Sequence, residues 1–332
     1  MSKIKIIIDN KIPFIQNVFE PYADVQYLSP SAITRETVAG ADALIVRTRT
    51  KCNEALLSGS SVRFIGTATI GTDHIDIPYC ESHAITWTNA PGCNAESVAQ
   101  YVASVLVAIG MQGKMDIRKL TVGLIGVGHV GSKVAHMCKA LGMRVLLNDP
   151  PRQEREGDTG FISLQTIQQE CDVISLHTPL TYEERYPSFH LADNLFFSNL
   201  KKCKVFINAA RGEVVDTVAL NRALDAGKIK DAIIDCWEGE PDIDLSLLKR
   251  ASIATPHIAG YSADGKANAT RAMIEAVARF FELPLSPCIS IPEPANAVID
   301  LSGISDYRLE KALLSTYDPV MDSRNLKLSP AD

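Results

Sequence analysis

The sequence predicts an α/β protein made of two doubly wound, parallel-sheet domains, one inserted into the other. Three observations carry this. Short apolar runs alternate with helical patterns from the start to about residue 260, which implies βαβ units. Two long helical patterns, near 94–112 and 262–283, punctuate the alternation. The 332 residues are too many for one ordinary domain and enough for two cores.

Taken in order, strand patterns fall at 3–9, 43–48, 64–69 and 85–89, with helical patterns at 13–22, 53–60 and 73–83 between them. The long helix that follows has Asn94 as its cap and Glu96 in its first turn. Its centre, VAQYVASVLVAIG, is apolar on nearly every face, so it should be buried all round, as a segment crossing between domains would be. A second series then reads TVGLIGV, RVLLND, DVISLHT, KVFINAA, DAIIDCW and SIATPH. Six near-continuous apolar strands describe a sheet covered on both faces. Residues 96–282, with both long helices, are expected to form the inserted domain; 1–95 and 283–332 should form the other. The segment with Pro284, Pro287, Pro292 and Pro294 reads as loop.

Composition narrows the function. The net charge of −6 argues against a nucleic-acid partner, which is held through dense Lys and Arg. No stretch reaches the ~18 apolar residues of a membrane span, and Asp9 interrupts the apolar start too early for a secretion signal. The eight cysteines, Cys288 among them, are scattered singly, so reduced thiols in a cytoplasmic protein are expected. His74, Cys80 and His83 lack paired metal-ligand spacing, so no metal is expected.

Gly126-Val127-Gly128-His129-Val130-Gly131 is a G-x-G-x-x-G sequence that ends one strand pattern, opens a helix pattern, and precedes a strand ending in Asp149. That context makes it a dinucleotide fingerprint. Gly126 permits the tight turn, Gly128 lets backbone approach the pyrophosphate, and Gly131 packs helix on strand. A carboxylate at Asp149 suits ribose hydroxyls and repels a 2′-phosphate, so NAD is favoured over NADP; Arg152 and Arg155, close behind, soften that preference.

Arg211, Glu240 and His257 follow three successive strand patterns of the same domain, at the sheet end where open α/β folds bind ligands. Together they suit hydride removal from C2 of a hydroxy acid. His257 accepts the hydroxyl proton near neutral pH, Glu240 favours and orients its charged form, and Arg211 clamps the carboxylate. Each also has a plainer reading: Arg211 capping a turn, Glu240 solvated before Pro241, His257 satisfied in a loop. Arg47, Arg49 and Lys51 alternate at a strand end, and either gather an anion or keep that edge from pairing.

Arg211, Glu240-Pro241 and Pro256-His257 resemble the pattern of the D-isomer-specific 2-hydroxyacid dehydrogenase family, and NAPGCN at 89–94 resembles its entry to the interdomain helix. The resemblance implies two Rossmann-like or flavodoxin-like domains, the NAD domain inserted into the substrate domain. VRTRTKCNEALL, GTATIGTDHID, DPPR, DCWEGEP and PHIAGYSADGKANAT resemble a branch of the family that oxidises 4-phosphoerythronate at C2 for pyridoxal 5′-phosphate biosynthesis. It implies Thr48, Thr69 and Tyr261 as substrate contacts, with Arg47 beside them. It also implies Thr178, Ala209, Ala210, Arg211, Asp235 and Gly260 as cofactor contacts. A homodimer follows too, through a C-terminal domain of which this chain matches only the beginning. The alternatives are a relative acting on glycerate or 3-phosphoglycerate, and an NAD-sensing binding protein on the same scaffold.

Overall fold

A computed structural model describes residues 3–329, apart from 114, 158–159, 184, 287–288, 290, 292 and 295. Cys288, Pro287 and Pro292 therefore lie outside the described residues. Contacts divide the chain into two compact units, Met1–Asn94 with Tyr261–Pro294, and Ala95–Gly260 with Ala295–Asp332.

The first unit is built on β1 (Ile4–Asp9), β2 (Ala23–Leu28), β3 (Ala43–Val46), β4 (Phe64–Thr67) and β5 (Thr86–Thr88), all parallel in the order β2-β1-β3-β4-β5. This is the flavodoxin-like order. Both faces of β1 are buried: Ile6 and Ile8 join one cluster with Met273, Ile274 and Val277, while Ile7 joins another with Leu56, Leu57 and Cys80. Asn53 and Asp76 cap the helices Glu54–Leu57 and Ile77–Ser82 by accepting from Leu56 N and Tyr79 N.

The second unit carries β6 (Thr121–Ile125), β7 (Arg144–Asn148), β8 (Val173–Leu176), β9 (Val205–Asn208), β10 (Asp231–Ile234) and β11 (Ile253–Ala254), parallel in the order β11-β10-β9-β8-β6-β7. Beyond β7, Phe161 makes a single parallel bridge with Leu147 where a further strand would extend the sheet. The order reverses at β6 and β8, so their carboxyl ends splay and open a crevice.

Three expectations need correction. Residues 13–22 form no helix: Phe14 and Asn17 take left-handed φ of 62° and 62°, while Ile15 and Phe19 are still buried. Hydrophobic spacing there reports burial, not helix. The helix Ala263–Phe280 belongs to the first unit rather than to the inserted one, because Ala269, Met273, Ile274 and Val277 complete the core over β1, β3 and β4. From residue 295 onward the chain belongs to the second unit, not the first. Its helices Arg308–Thr316 and Pro319–Leu328 set Leu313, Leu314, Tyr317 and Val320 against the cluster of the helix Ala95–Gly113. That helix is apolar all round because the sheet covers one side and these tail helices cover another. Ser323, buried, accepts the Ala254 N–H of the edge strand β11 at 2.9 Å.

Candidate active site

The glycine loop sits at the crevice. After β6 the chain turns at Gly126, with φ of 84°, where a Cβ would meet the backbone of His177 and Thr178 at 2.7 Å. At Gly131 a Cβ would lie 2.1 Å from the Gly126 carbonyl, so only glycine lets helix His129–Ala140 come this close. Gly128 differs: nothing lies within 4 Å of its Cβ position. Its side faces open space at the helix N-terminus, where no side chain caps the free N–H groups. Packing thus accounts for Gly126 and Gly131 but not for Gly128.

The surroundings fit a dinucleotide. Thr178, just past β8, holds its Oγ1 buried with no hydrogen-bond partner. The Asp149 carboxylate accepts from Val127 N at 2.7 Å and Arg152 N at 3.0 Å, one bond to each oxygen, which leaves lone pairs for ribose hydroxyls. Arg152 is committed: it reaches the Val127 carbonyl, pairs with Glu156, and its guanidinium lies 5.3 Å from the Phe161 ring centroid. His177 is buried against Ser175 Oγ at 2.9 Å, and burial pushes its pKa down to about 4, so it adds no charge beside the loop.

Three strand ends along the same sheet carry the expected reactive residues. Beyond β10, the Glu240 carboxylate accepts from Trp237 N at 2.6 Å through Oε1, and meets His257 Nδ1 at 2.8 Å through Oε2. The bond and charge of Glu240 raise the His257 pKa above 6.5, against the opposing effect of burial. Burial would raise Glu240, but His257, the Trp237 N–H and Arg211 together hold it below the ordinary carboxylate value. With Nδ1 engaged, Nε2 is the ring nitrogen left to exchange a proton. Beyond β9, Arg211 starts the turn Gly212–Val214; its Nη1 donates to the Ala210 carbonyl at 2.8 Å, and Ala209 and Ala210 precede it.

Asp235, expected at the cofactor, is 1% exposed. Its carboxylate accepts from Thr255 Oγ1, Ile258 N and Ala259 N, so what its geometry supports is the turn around His257, which ends at Gly260. His257 itself has a left-handed φ of 55°. Sequence reading missed Trp237, Thr255 and Tyr101, whose hydrogen bonds tie this turn together; Trp237 Nε1 donates to the Thr255 carbonyl at 2.9 Å. Tyr101 sits in the apolar helix Ala95–Gly113, and Trp237 and Thr255 close apolar strand patterns, so nothing in the sequence hinted at them.

In the first unit, the premise for the basic cluster fails. β3 ends at Val46, so Arg47, Arg49 and Lys51 do not alternate along a strand. Arg47 pairs with the fully buried Asp9 through Nε at 3.0 Å and Nη2 at 3.3 Å, while Thr48, Arg49 and Lys51 are exposed. Thr69, past β4, contacts Thr67 Oγ1 at 2.7 Å and donates to the Gly71 carbonyl. Tyr261 is exposed, with Lys266 Nζ 3.3 Å from its ring centroid, and that cation lowers its phenol pKa. Among the described residues, no group of three or more His, Cys, Asp or Glu could hold a metal ion.

Comparison with known proteins agrees with this layout. Residues 98–259 match the D-isomer specific 2-hydroxyacid dehydrogenase, NAD binding domain. An erythronate-4-phosphate dehydrogenase of Bacteroides fragilis is 53% identical over 328 residues, covering 98% of this chain and 93% of the relative. One of Porphyromonas gingivalis is 47% identical, covering 98% and 89%. Among solved structures, a D-lactate dehydrogenase from Aquifex aeolicus complexed with NAD and lactic acid is 30% identical, with a TM-score of 0.70 over 83% of this chain and 95% of that one. A glycine loop shaped for a dinucleotide, a histidine–glutamate pair on the same sheet and these identities converge: the chain belongs to the erythronate-4-phosphate dehydrogenase family and is an NAD-dependent oxidoreductase of the D-isomer specific 2-hydroxyacid type.

Proposed function

We propose that this chain oxidises 4-phosphoerythronate at C2 to the 2-oxo acid with NAD as acceptor, a step of pyridoxal 5′-phosphate biosynthesis. The observation that carries the chemistry is the 2.8 Å contact of Glu240 Oε2 with His257 Nδ1, which leaves Nε2 for the substrate hydroxyl. Kinship with erythronate-4-phosphate dehydrogenases supports the choice of substrate. NAD, when bound, supplies the hydride acceptor. Gly126, Gly128, His129, Val130 and Gly131 would hold its pyrophosphate, Asp149 its ribose, and Thr178, Ala209, Ala210 and Gly260 its nicotinamide half, with the buried Asp235 behind them shaping the turn.

In the oxidation, the C2–H bond breaks with its electron pair leaving as hydride. The hydroxyl proton passes to His257 Nε2, and the C2–O bond becomes a carbonyl. Glu240 offsets the positive charge that the imidazole gains. Arg211 holds the carboxylate through paired N–H groups and, in the reverse direction, polarises the carbonyl. Thr48, Thr69, Tyr261 and Arg47 are proposed to contact this small anionic substrate. Arg47 serves best through the shape it gives Asp9 and the β3 end, since most of its hydrogen bonding is already spent on Asp9.

A homodimer in the cytoplasm completes the reading. The compartment is supported by the cysteines among the described residues, which are unpaired and, Cys93 apart, buried. Among the described residues, no helix is long and apolar enough to cross a membrane. The reading is tested by following NADH formation with 4-phosphoerythronate, glycerate and 3-phosphoglycerate side by side. A preference for either glycerate over the four-carbon acid would reassign the substrate.

A further inference from the structure

Behind His257 lies a buried hydrogen-bond chain that the reaction itself does not use. Tyr101 OH is 2.7 Å from Thr255 Oγ1, and Thr255 Oγ1 donates to Asp235 Oδ1 at 2.6 Å. Tyr101, Thr255 and Asp235 are 2%, 0% and 1% exposed. The proton order follows from counting. Thr255 has one hydroxyl proton and gives it to Asp235, so Tyr101 must donate to Thr255. Every group around the Asp235 carboxylate is a donor, including Ile258 N at 2.8 Å and Ala259 N at 2.9 Å. The Thr255 hydroxyl and these two backbone N–H groups favour the ionised carboxylate, against the burial that raises its pKa.

The chain has a mechanical consequence. The N–H groups of His257, Ile258 and Ala259 all converge on Asp235: the first on its carbonyl at 2.8 Å, the others on its carboxylate. They hold His257 in a left-handed conformation, which is uncommon for a non-glycine residue. Thr255 is the hub. Its hydroxyl fixes the Asp235 carboxylate, and its carbonyl takes the indole N–H of Trp237, whose own backbone N–H holds Glu240 Oε1. Both members of the catalytic pair therefore hang from one buried residue.

We propose that Thr255, backed by Tyr101, is a positioning residue for the proton-accepting pair: the Tyr101–Thr255–Asp235 chain sets the turn that brings His257 Nδ1 to Glu240 and leaves Nε2 free. It rests on the reading of His257 as proton acceptor. The ionisable groups that bear on the imidazole are Glu240 and Asp235, which favour its charged form, and Arg211, which opposes it.

Thr255→Val keeps the shape and removes the hydroxyl; Thr255→Ser restores it; Tyr101→Phe removes only the far donor. The titration of His257 is followed by NMR, which needs no substrate, together with kcat/KM against pH. Thr255→Val is expected to lower the His257 pKa toward its ordinary value, move the kcat/KM limb with it, and cost between about 10- and 100-fold in kcat at unchanged KM for NAD. Thr255→Ser should recover both readouts, and Tyr101→Phe should move them in the same direction by less. Should Thr255→Val fail to fold, Tyr101→Phe carries the same test. A wild-type His257 titration in Thr255→Val or, in its absence, in Tyr101→Phe, or a loss that Thr255→Ser does not repair, overturns the proposal. An inactive wild-type enzyme with the expected NMR shifts would instead overturn the assignment of the reaction.

Discussion

Replacing Glu240 by Gln keeps the shape and one hydrogen bond to His257 but removes the charge. A bond to a charged group contributes ~1.5–3 kcal/mol and a neutral one ~0.5–1.5. Side-chain exposures of 44% for His257 and 34% for Glu240 weaken the difference by solvent screening, so about 1 kcal/mol remains. That is roughly a fivefold loss of preference for imidazolium over imidazole. Oxidation needs the neutral ring, so kcat/KM rises with pH through the His257 pKa, and the limb should move to lower pH in the variant. Carbonyl reduction needs the protonated ring and should fall by about the same factor near neutrality. Stability gives an independent reading. Glu240 raises the His257 pKa, so its stabilisation is complete below about 6.5, where unfolded histidine is protonated, and is lost as pH rises through the folded value. The Glu240 pKa is lowered, so the same stabilisation disappears again in acid as its carboxylate protonates. Parent and variant should differ most between these limits. Stopped-flow rates in both directions and thermal melts from pH 4 to 9 measure all of this. An unshifted limb, with equal loss in both directions, would refute the pairing.

Three further outcomes are expected. Gly131→Ala should unfold or strongly destabilise the second unit because its Cβ would lie 2.1 Å from the Gly126 carbonyl, whereas Gly128→Ala should melt normally and bind NAD more weakly; calorimetry with and without NAD separates the two. Asp149→Asn should narrow the preference for NAD over NADP while keeping the helix cap, and an unchanged ratio of kcat/KM would remove Asp149 from the ribose. His177, with its pKa pushed down to about 4 by burial, must be buried neutral, so acid should cost stability as pH falls from about 6.5 to 4. The penalty is on the order of 3 kcal/mol at its limit, and His177→Gln should flatten that part of the melting curve.

The sheets and the reactive strand ends were legible because each is a local pattern. Runs such as KVFINAA announce strands buried on both faces, and a residue's place after a run locates it at the carboxyl edge. What was missed depends on tertiary partners. β2 (ADVQYL) alternates in burial as an edge strand does, and its polar positions hid it among loops. The 13–22 segment buries Ile15 and Phe19 without helix because left-handed residues break the period. The helix Ala95–Gly113 reads as buried on all sides, but the sequence does not say that the tail helices do the covering. Likewise Asp9 reads as the end of a strand, and only the fold shows that it occupies Arg47.

In the proposed reaction, His257 takes the hydroxyl proton of a 2-hydroxy acid whose hydride leaves to NAD. Its most direct test is the single-turnover rate of NADH formation from 4-phosphoerythronate in His257→Ala, with NAD binding followed by fluorescence in the same samples. Intact NAD binding is expected, with a rate reduced on the order of 10²–10⁴-fold, the usual contribution of a general acid–base group. A near-normal rate with NAD bound would contradict it.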